Sequence, residues 1–229
     1  MTTSPVAWPA WLFDLLFPCR CVSCGQASES LCVSCRRLFR PVGQPRCGRC
    51  GAPTAWPVER CLECAGRRLA FASARGAVAY AGPARPFVAA WKEHGLRHLA
   101  TLAAELVVAH VEPPVADAIA YIPPDPVRQL ERSRHPAESL AGQLARQWGI
   151  PAAPLLGRAR ARPRQVALTL AARRTNARDA FVVRGSVPER VLLVDDVYTT
   201  GSTVAAAAAA LRAAGARRVD VVTFARALR

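Results

Sequence analysis

Lysine is almost missing from this chain. Lys92 is the single one, and the other thirty bases are arginine, against sixteen acids. Arginine in place of lysine, with alanine runs such as 205–210, reflects a GC-rich coding sequence. Coding bias does not account for a net charge of +15. That excess points to a polyanionic partner: nucleic acid, a phosphorylated substrate or an anionic surface. Cysteine is absent after Cys64, all nine lying between Cys19 and Cys64. A disulfide scaffold spreads its cysteines through a secreted chain, whereas clustered C-x-x-C pairs read as metal ligands. No apolar run reaches the roughly 20 residues of a membrane span. The longest, residues 8–17, contains Asp14 and has neither a basic leader nor a small-residue cleavage site. These absences predict a cytoplasmic protein. There is no Walker A loop and no G-x-G-x-x-G, so P-loop and Rossmann nucleotide sites have no support.

What remains falls into three segments. Residues 1–18 are apolar, interrupted by Pro5, Pro9 and Pro18, and read as a short helix or extended arm. Residues 19–69 hold every cysteine and no long hydrophobic period, so this stretch needs a metal to fold. Residues 70–229 alternate between strand and helix patterns. Strands are predicted at 76–81, 117–122, 153–156, 180–183, 190–194 and 219–224. Helices are predicted at 86–112 (broken near Gly95), 137–148 and 202–214. This alternation predicts an α/β domain with a mainly parallel sheet.

The cysteines fall as Cys21/Cys24, Cys32/Cys35, Cys47/Cys50 and Cys61/Cys64, each a C-x-x-C pair. Each pair can offer two thiolates to a tetrahedral zinc. Gly25 and Gly51 follow the first and third pairs, where positive φ closes a zinc knuckle. The pattern therefore reads as two zinc ribbons in tandem: Cys21, Cys24, Cys32 and Cys35 for one ion, Cys47, Cys50, Cys61 and Cys64 for another. A cross-braced pairing is the alternative. Cys19 is left as a spare thiol. The ribbons serve either as structural staples or as a docking surface. Residues 1–70 carry nine arginines against four acids, a balance of +5. Two four-thiolate zinc sites add about −2 each and nearly cancel it, so charge alone does not mark the ribbons as a nucleic-acid surface.

The sharpest motif is VLLVDDVYTTGST at 191–203. Four apolar residues predict a buried strand. Asp195 and Asp196 are placed at its C-terminal end, where open α/β sheets bind ligands. Thr199, Thr200, Gly201, Ser202 and Thr203 then lead into a helix. Hydroxyls, a glycine and free helix amides make a phosphate cradle, and the two acids precede it where sugar hydroxyls can be met. A receiver-domain reading fails, because it needs a lysine near a fifth strand and Lys92 lies far upstream.

This stretch resembles the PRPP-binding signature of type I phosphoribosyltransferases. The resemblance implies Asp195 and Asp196 on the ribose hydroxyls, 199–203 around the 5′-phosphate, and Mg²⁺ with PRPP. Cysteine ribbons ahead of such a domain resemble the ComF (GntX-like) family, over nearly the whole chain. Phe17-Pro18 is similar to that family's opening before the cysteines. Ala90-Trp91-Lys92 is similar to its A-L-K segment, and Ile122-Pro123-Pro124 to its V-P-V-P strand end. Gln165, Leu168, Arg174, Asn176 and Ala180-Phe181 are similar to its Q-x-x-L…R-x-N…A-F stretch. One segment departs: residues 131–137 lack the glycine and N-Q pair usual after the prolines.

The organisation implied is an apolar arm and double zinc ribbon at 1–69, then a phosphoribosyltransferase-like domain at 70–229. Residues 123–178 carry eleven arginines against Asp125, Glu131 and Glu138, a local balance of +8. This basic stretch suits a pyrophosphate of PRPP, with Lys92, Arg128, Arg132, Gln165 and Arg174 as pyrophosphate or hood candidates. Two functions fit. One is an enzyme of the glycosyltransferase class that transfers the phosphoribosyl group of PRPP, linked by family resemblance to DNA uptake in natural transformation. The other is a non-catalytic adaptor of the same fold that binds single-stranded DNA or a competence helicase. The intact 191–203 motif favours the first. The altered 131–137 segment and the lack of a general base favour the second.

Overall fold

The computed structural model describes residues 19–94, 97–124, 135–159 and 180–228. The N-terminal arm, Arg128, Arg132, Gln165 and Arg174 lie outside the described residues. Four parallel strands form the sheet: β1 (Ser73–Ala79), β2 (Ala118–Tyr121), β5 (Arg190–Tyr198) and β6 (Arg218–Arg226), in the order β1-β6-β5-β2. β3 (Leu156–Arg158) and β4 (Phe181–Val183) make a separate antiparallel pair. The helices are α1 (Val33–Arg37), α2 (Ala84–His94), α3 (Arg97–His110), α4 (Pro136–Trp148) and α5 (Ser202–Ala213). The mainly parallel α/β sheet expected from the alternating pattern is therefore present, and α2 and α3 flank the break near Gly95.

Several boundaries differ from expectation: β1 runs Ser73–Ala79 instead of 76–81, β6 runs on to Arg226, and two further shifts have a clear cause. The weak strand expected at 153–156 moves to Leu156–Arg158, because Pro151 and Pro154 remove donors from the earlier stretch. Ala152 keeps only a bridge to Ile119. β5 runs on to Tyr198 instead of stopping at Val194. Its charged residues end the apolar run, but its ladder with β6 continues through Asp195↔Thr223 and Val197↔Ala225.

β5 is an inner strand, and Leu192, Leu193 and Val194 are fully buried. Each such side chain contributes roughly 1.5–3 kcal/mol. Successive residues serve opposite faces. Leu192 and Val194 join α2, α3 and α4, whereas Val191 and Leu193 join α5. α5 presents Val204, Ala207, Ala208 and Leu211 to the sheet at helical spacing.

The cysteine segment builds no core of its own but shares both cores of the sheet. Cys21, Leu31, Cys35 and Phe39 pack on the α2–α4 face, and Cys47, Cys50, Ala52 and Cys64 on the α5 face. The link between the ribbons runs along the edge of β1. Val42 N–H donates to Ala77 O, Ala79 N–H to Arg40 O, and Ala74 N–H to Arg49 O, at 2.7–3.0 Å. Edge donors that would otherwise invite another strand are thereby occupied. Trp91 is a core residue, in edge contact with Phe224 and Phe87. Trp56, by contrast, is 68% exposed, so this tryptophan does not pack in the core. Among the described residues, no helix is long and apolar enough to cross a membrane.

Candidate functional site

Beyond Tyr121, β2 has ended while β5 continues. The last bond on that side is Ile122 N–H to Val194 O. Asp195 and Asp196 therefore lie past the end of β2 but still within the β5–β6 ladder. Both are buried. Lys92 of α2 reaches Asp196, with Nζ 2.8 Å from Oδ2, while the Asp196 N–H donates to Asp195 Oδ1 at 2.9 Å. Trp91, anchored among Phe87 and Phe224, holds α2 where its neighbour Lys92 can make this contact. Burial first, then the Asp196 charge, pushes the Asp195 carboxyl up to about 8, against the pull of the Asp196 N–H and of Lys92 and Arg158.

Arg158 went unrecognised in the sequence, one arginine among thirty. It stacks 4.6 Å from the Phe181 ring centroid and donates from Nε to Pro123 O at 3.2 Å. It thereby ties the end of the Ile122-Pro123-Pro124 segment to β3, on the side from which it acts on Asp195.

The loop after β5 is shaped by one residue. Gly201 has φ 72° and caps α5. A Cβ there would collide with the Tyr198 phenol beneath it, so both conformation and space require glycine. Thr200 and Ser202 hydroxyls lie 2.9 Å apart, and Ala205 N–H closes the first turn on Gly201 O. The first turn of α5 carries no acid. Ser202 N–H donates to Thr200 Oγ1 at 3.4 Å, and the helix N-terminus beyond it presents its positive dipole end where an anion is favoured.

The eight paired cysteines gather as Cys21, Cys24, Cys32 and Cys35, and as Cys47, Cys50, Cys61 and Cys64, with all sulfurs of a group within 4.8 Å of one another. The tandem pairing holds and cross-bracing does not. Cys19 stands apart, exposed, 4.0 Å from Ser30 Oγ. Gly25 and Gly51 take φ 75° and 72°. Gly51 is also pressed against the Ala74 carbonyl, where no side chain fits. Amides face the sulfurs: Cys32 N–H to Cys21 Sγ at 3.4 Å and Cys61 N–H to Cys47 Sγ at 3.3 Å. Burial raises the thiols of Cys21 and Cys47, but these and neighbouring amide bonds outweigh it and bring both down to about 6. Burial and the neighbouring thiolates push Cys35 and Cys50 the other way. Four crowded sulfurs cannot all ionise without a cation among them. Each cluster therefore fits one structural zinc.

The sheet, the acids before a hydroxyl-rich loop, and two thiolate clusters define a phosphoribosyltransferase-fold protein with an N-terminal double zinc ribbon. Family models agree: a double zinc ribbon domain matches residues 12–65 and a phosphoribosyl transferase domain matches residues 136–229. The chain is 28% identical over 227 residues to Competence protein F of Haemophilus influenzae, covering 92% of this chain and 98% of that protein. The likeness to that protein therefore runs through both the cysteine ribbons and the sheet domain.

Solved structures similar to part of the chain include the allosteric regulatory enzyme of purine biosynthesis (26% identity, 55% of this chain, 25% of that one, TM-score 0.40). Glutamine PRPP amidotransferase from B. subtilis gives 24% identity, 56% of this chain, 25% of that one and TM-score 0.40. Adenine phosphoribosyltransferase from Thermoanaerobacter pseudethanolicus gives 14%, 62%, 86% and 0.37. The chain spans about a quarter of the length of the first two enzymes.

Proposed function

We propose that this protein binds PRPP with Mg²⁺ at the C-terminal end of β5 and acts in DNA uptake during natural transformation. The observation that carries the binding reading is the Asp195–Asp196 pair held by Lys92 directly before the Gly201 loop. In this reading, Thr199, Thr200, Gly201, Ser202 and Thr203 surround the 5′-phosphate, and Asp195 and Asp196 accept from the ribose hydroxyls. Mg²⁺ bound together with PRPP would supply charge neutralisation at the pyrophosphate. Lys92, committed to Asp196, orients that carboxylate and adds positive charge beside the ribose. A transfer reaction at C1′ would draw on positioning and charge stabilisation. Arg128, Arg132, Gln165 and Arg174 are proposed for the pyrophosphate and hood. The division at 69/70 is proposed as one of roles: metal sites before it, ligand site after it.

Isothermal titration of PRPP·Mg²⁺ against the zinc-loaded protein tests this, beside an Asp195→Asn/Asp196→Asn variant. Micromolar binding lost in the variant is expected. No binding in the wild type overturns the reading.

A second reading, a single-stranded DNA adaptor, is favoured by one feature. At the start of β6, away from Asp195 and Asp196, a cavity of about 170 Å³ is lined by Arg49, Arg212, Arg217 and Arg218, of which Arg217 pairs with Glu189 and Arg218 with Asp220. Phosphates held there would make affinity fall steeply with salt. A salt series with labelled single strands on the Asp195→Asn/Asp196→Asn variant separates this reading from PRPP binding.

A further inference from the structure

Arg226 ends β6 and is 1% exposed. A guanidinium buried so deeply is costly unless paired. Nη1 donates to Cys50 O at 2.6 Å, and Nη2 to Glu63 Oε2 at 3.0 Å and to Cys50 Sγ at 3.7 Å. The cation also stacks 4.4 Å from the centroid of the Tyr198 ring. That ring's phenol end is the floor beneath Gly201. Gly76 of β1 lies against the Arg226 stem, where a Cβ would come within 2.7 Å, so the side chain has little room to move. One buried residue thus touches a cysteine of the second cluster, the acid next to Cys64, and the aromatic ring under the loop.

Resting on the reading of 199–203 as a phosphate loop, we propose that Arg226 is a positioning residue. It couples metal occupancy of the Cys47/Cys50/Cys61/Cys64 cluster to the shape of that loop. A filled cluster fixes the carbonyl and sulfur of Cys50, and the guanidinium held there keeps Tyr198 under Gly201. Loss of the metal frees Cys50, because the thiolate set no longer has one geometry. Arg226 then loses two of its contacts, and the left-handed turn at Gly201 loses its support. The first cluster lies on the other face, packed through Phe39 against Phe87 and Phe224. The loop therefore responds to one metal site and not to the other.

The test is hydrogen–deuterium exchange across residues 198–205 in the full zinc-loaded protein, with zinc counted in each variant. Cys24→Ser disturbs the first cluster, and Cys61→Ser the second without removing an Arg226 contact described above. Each is expected to lose one zinc. Cys61→Ser should speed loop exchange by about tenfold or more, and Cys24→Ser should leave it within about twofold. In an Arg226→Lys background, exchange is already raised and Cys61→Ser adds nothing further. An unchanged loop in Cys61→Ser overturns the coupling, as do equal effects from the two clusters. Should Cys61→Ser fail to fold, Glu63→Gln keeps all eight ligands. It is expected to quicken loop exchange at full zinc content, and no change there overturns the proposal. PRPP titration of the wild type runs in parallel. Its failure would remove the phosphoribosyl reading while leaving the measured coupling intact.

Discussion

Lys92 Nζ sits 2.8 Å from Asp196 Oδ2, so the chain's single lysine is fixed on one of the two buried acids of β5. The lysine side chain is 35% exposed and the aspartate 7%, which places the pair at the border of core and solvent. Removing the cation leaves a buried carboxylate without its partner, a loss of about 1–3 kcal/mol for a half-buried pair. Lys92→Gln is expected to lower thermal stability and weaken PRPP·Mg²⁺ binding about tenfold. Lys92→Arg should recover stability more than affinity, since a guanidinium does not reproduce the ammonium position. Calorimetry on the three proteins checks both.

Asp195 gives a pH dependence of definite sign. Burial and the Asp196 charge raise its folded carboxyl to about 8, so between the ordinary carboxylate range and pH 8 the folded state holds a proton that the unfolded state releases. The contribution of Asp195 to stability therefore falls as pH rises through that window, by at most about 1.4 kcal/mol per pH unit. Urea melts from pH 5 to 8.5 should show wild-type stability falling relative to Asp195→Asn, the thiols and their metal being common to both. A difference that grows in favour of wild type with rising pH would contradict it.

The same proton bears on ligand binding. If Asp195 accepts from a ribose hydroxyl beside Mg²⁺, binding at pH 7 should release up to one proton. Titrations in buffers of different ionisation enthalpy read this number directly. Zero release would place the ligand away from Asp195.

Gly201→Ala combines a left-handed φ of 72° with a collision against Tyr198. The conformational strain alone costs about 1–2 kcal/mol, and the collision adds to it. A lowered melting temperature and loss of PRPP binding are expected. A neutral result would mean the loop does not rest on Tyr198.

Metal removal should not act on the ribbons alone. Leu31 and Phe39 belong to the core that holds Phe87 and Trp91, and Cys47 and Cys64 to the core that holds Leu193. Zinc stoichiometry is expected near two. Chelation should abolish the near-UV signal of buried Trp91 together with the ribbon fold. Survival of that signal after complete zinc loss would show that the sheet stands without its ribbons.

Local patterns carried most of what the sequence disclosed. C-x-x-C spacing, the glycines after two of the pairs, and the strand–acid–loop–helix run each place their residues within a few positions of one another. The contacts of Arg226 span 163 and 176 residues and leave no local trace. Arg158 was likewise hidden by composition. Lys92 drew notice through family resemblance, but its partner Asp196 lies on another element. The end of β5 was misjudged because charge reads as a strand terminus, whereas the ladder needs only backbone groups and a neighbour in β6.

The strand order β1-β6-β5-β2 also fixes a sequence of events at the ribosome. Among the described strands β6 is made after the others, yet it lies beside β1, made before them, and supplies Phe224 and Arg226 to the ribbons. The cysteines emerge well before β6, which completes their apolar backing. Until β6 is made, zinc must hold them on affinity alone, and oxidants have their best access. Newly made chains, rather than finished protein, are where cellular zinc shortage should first be felt.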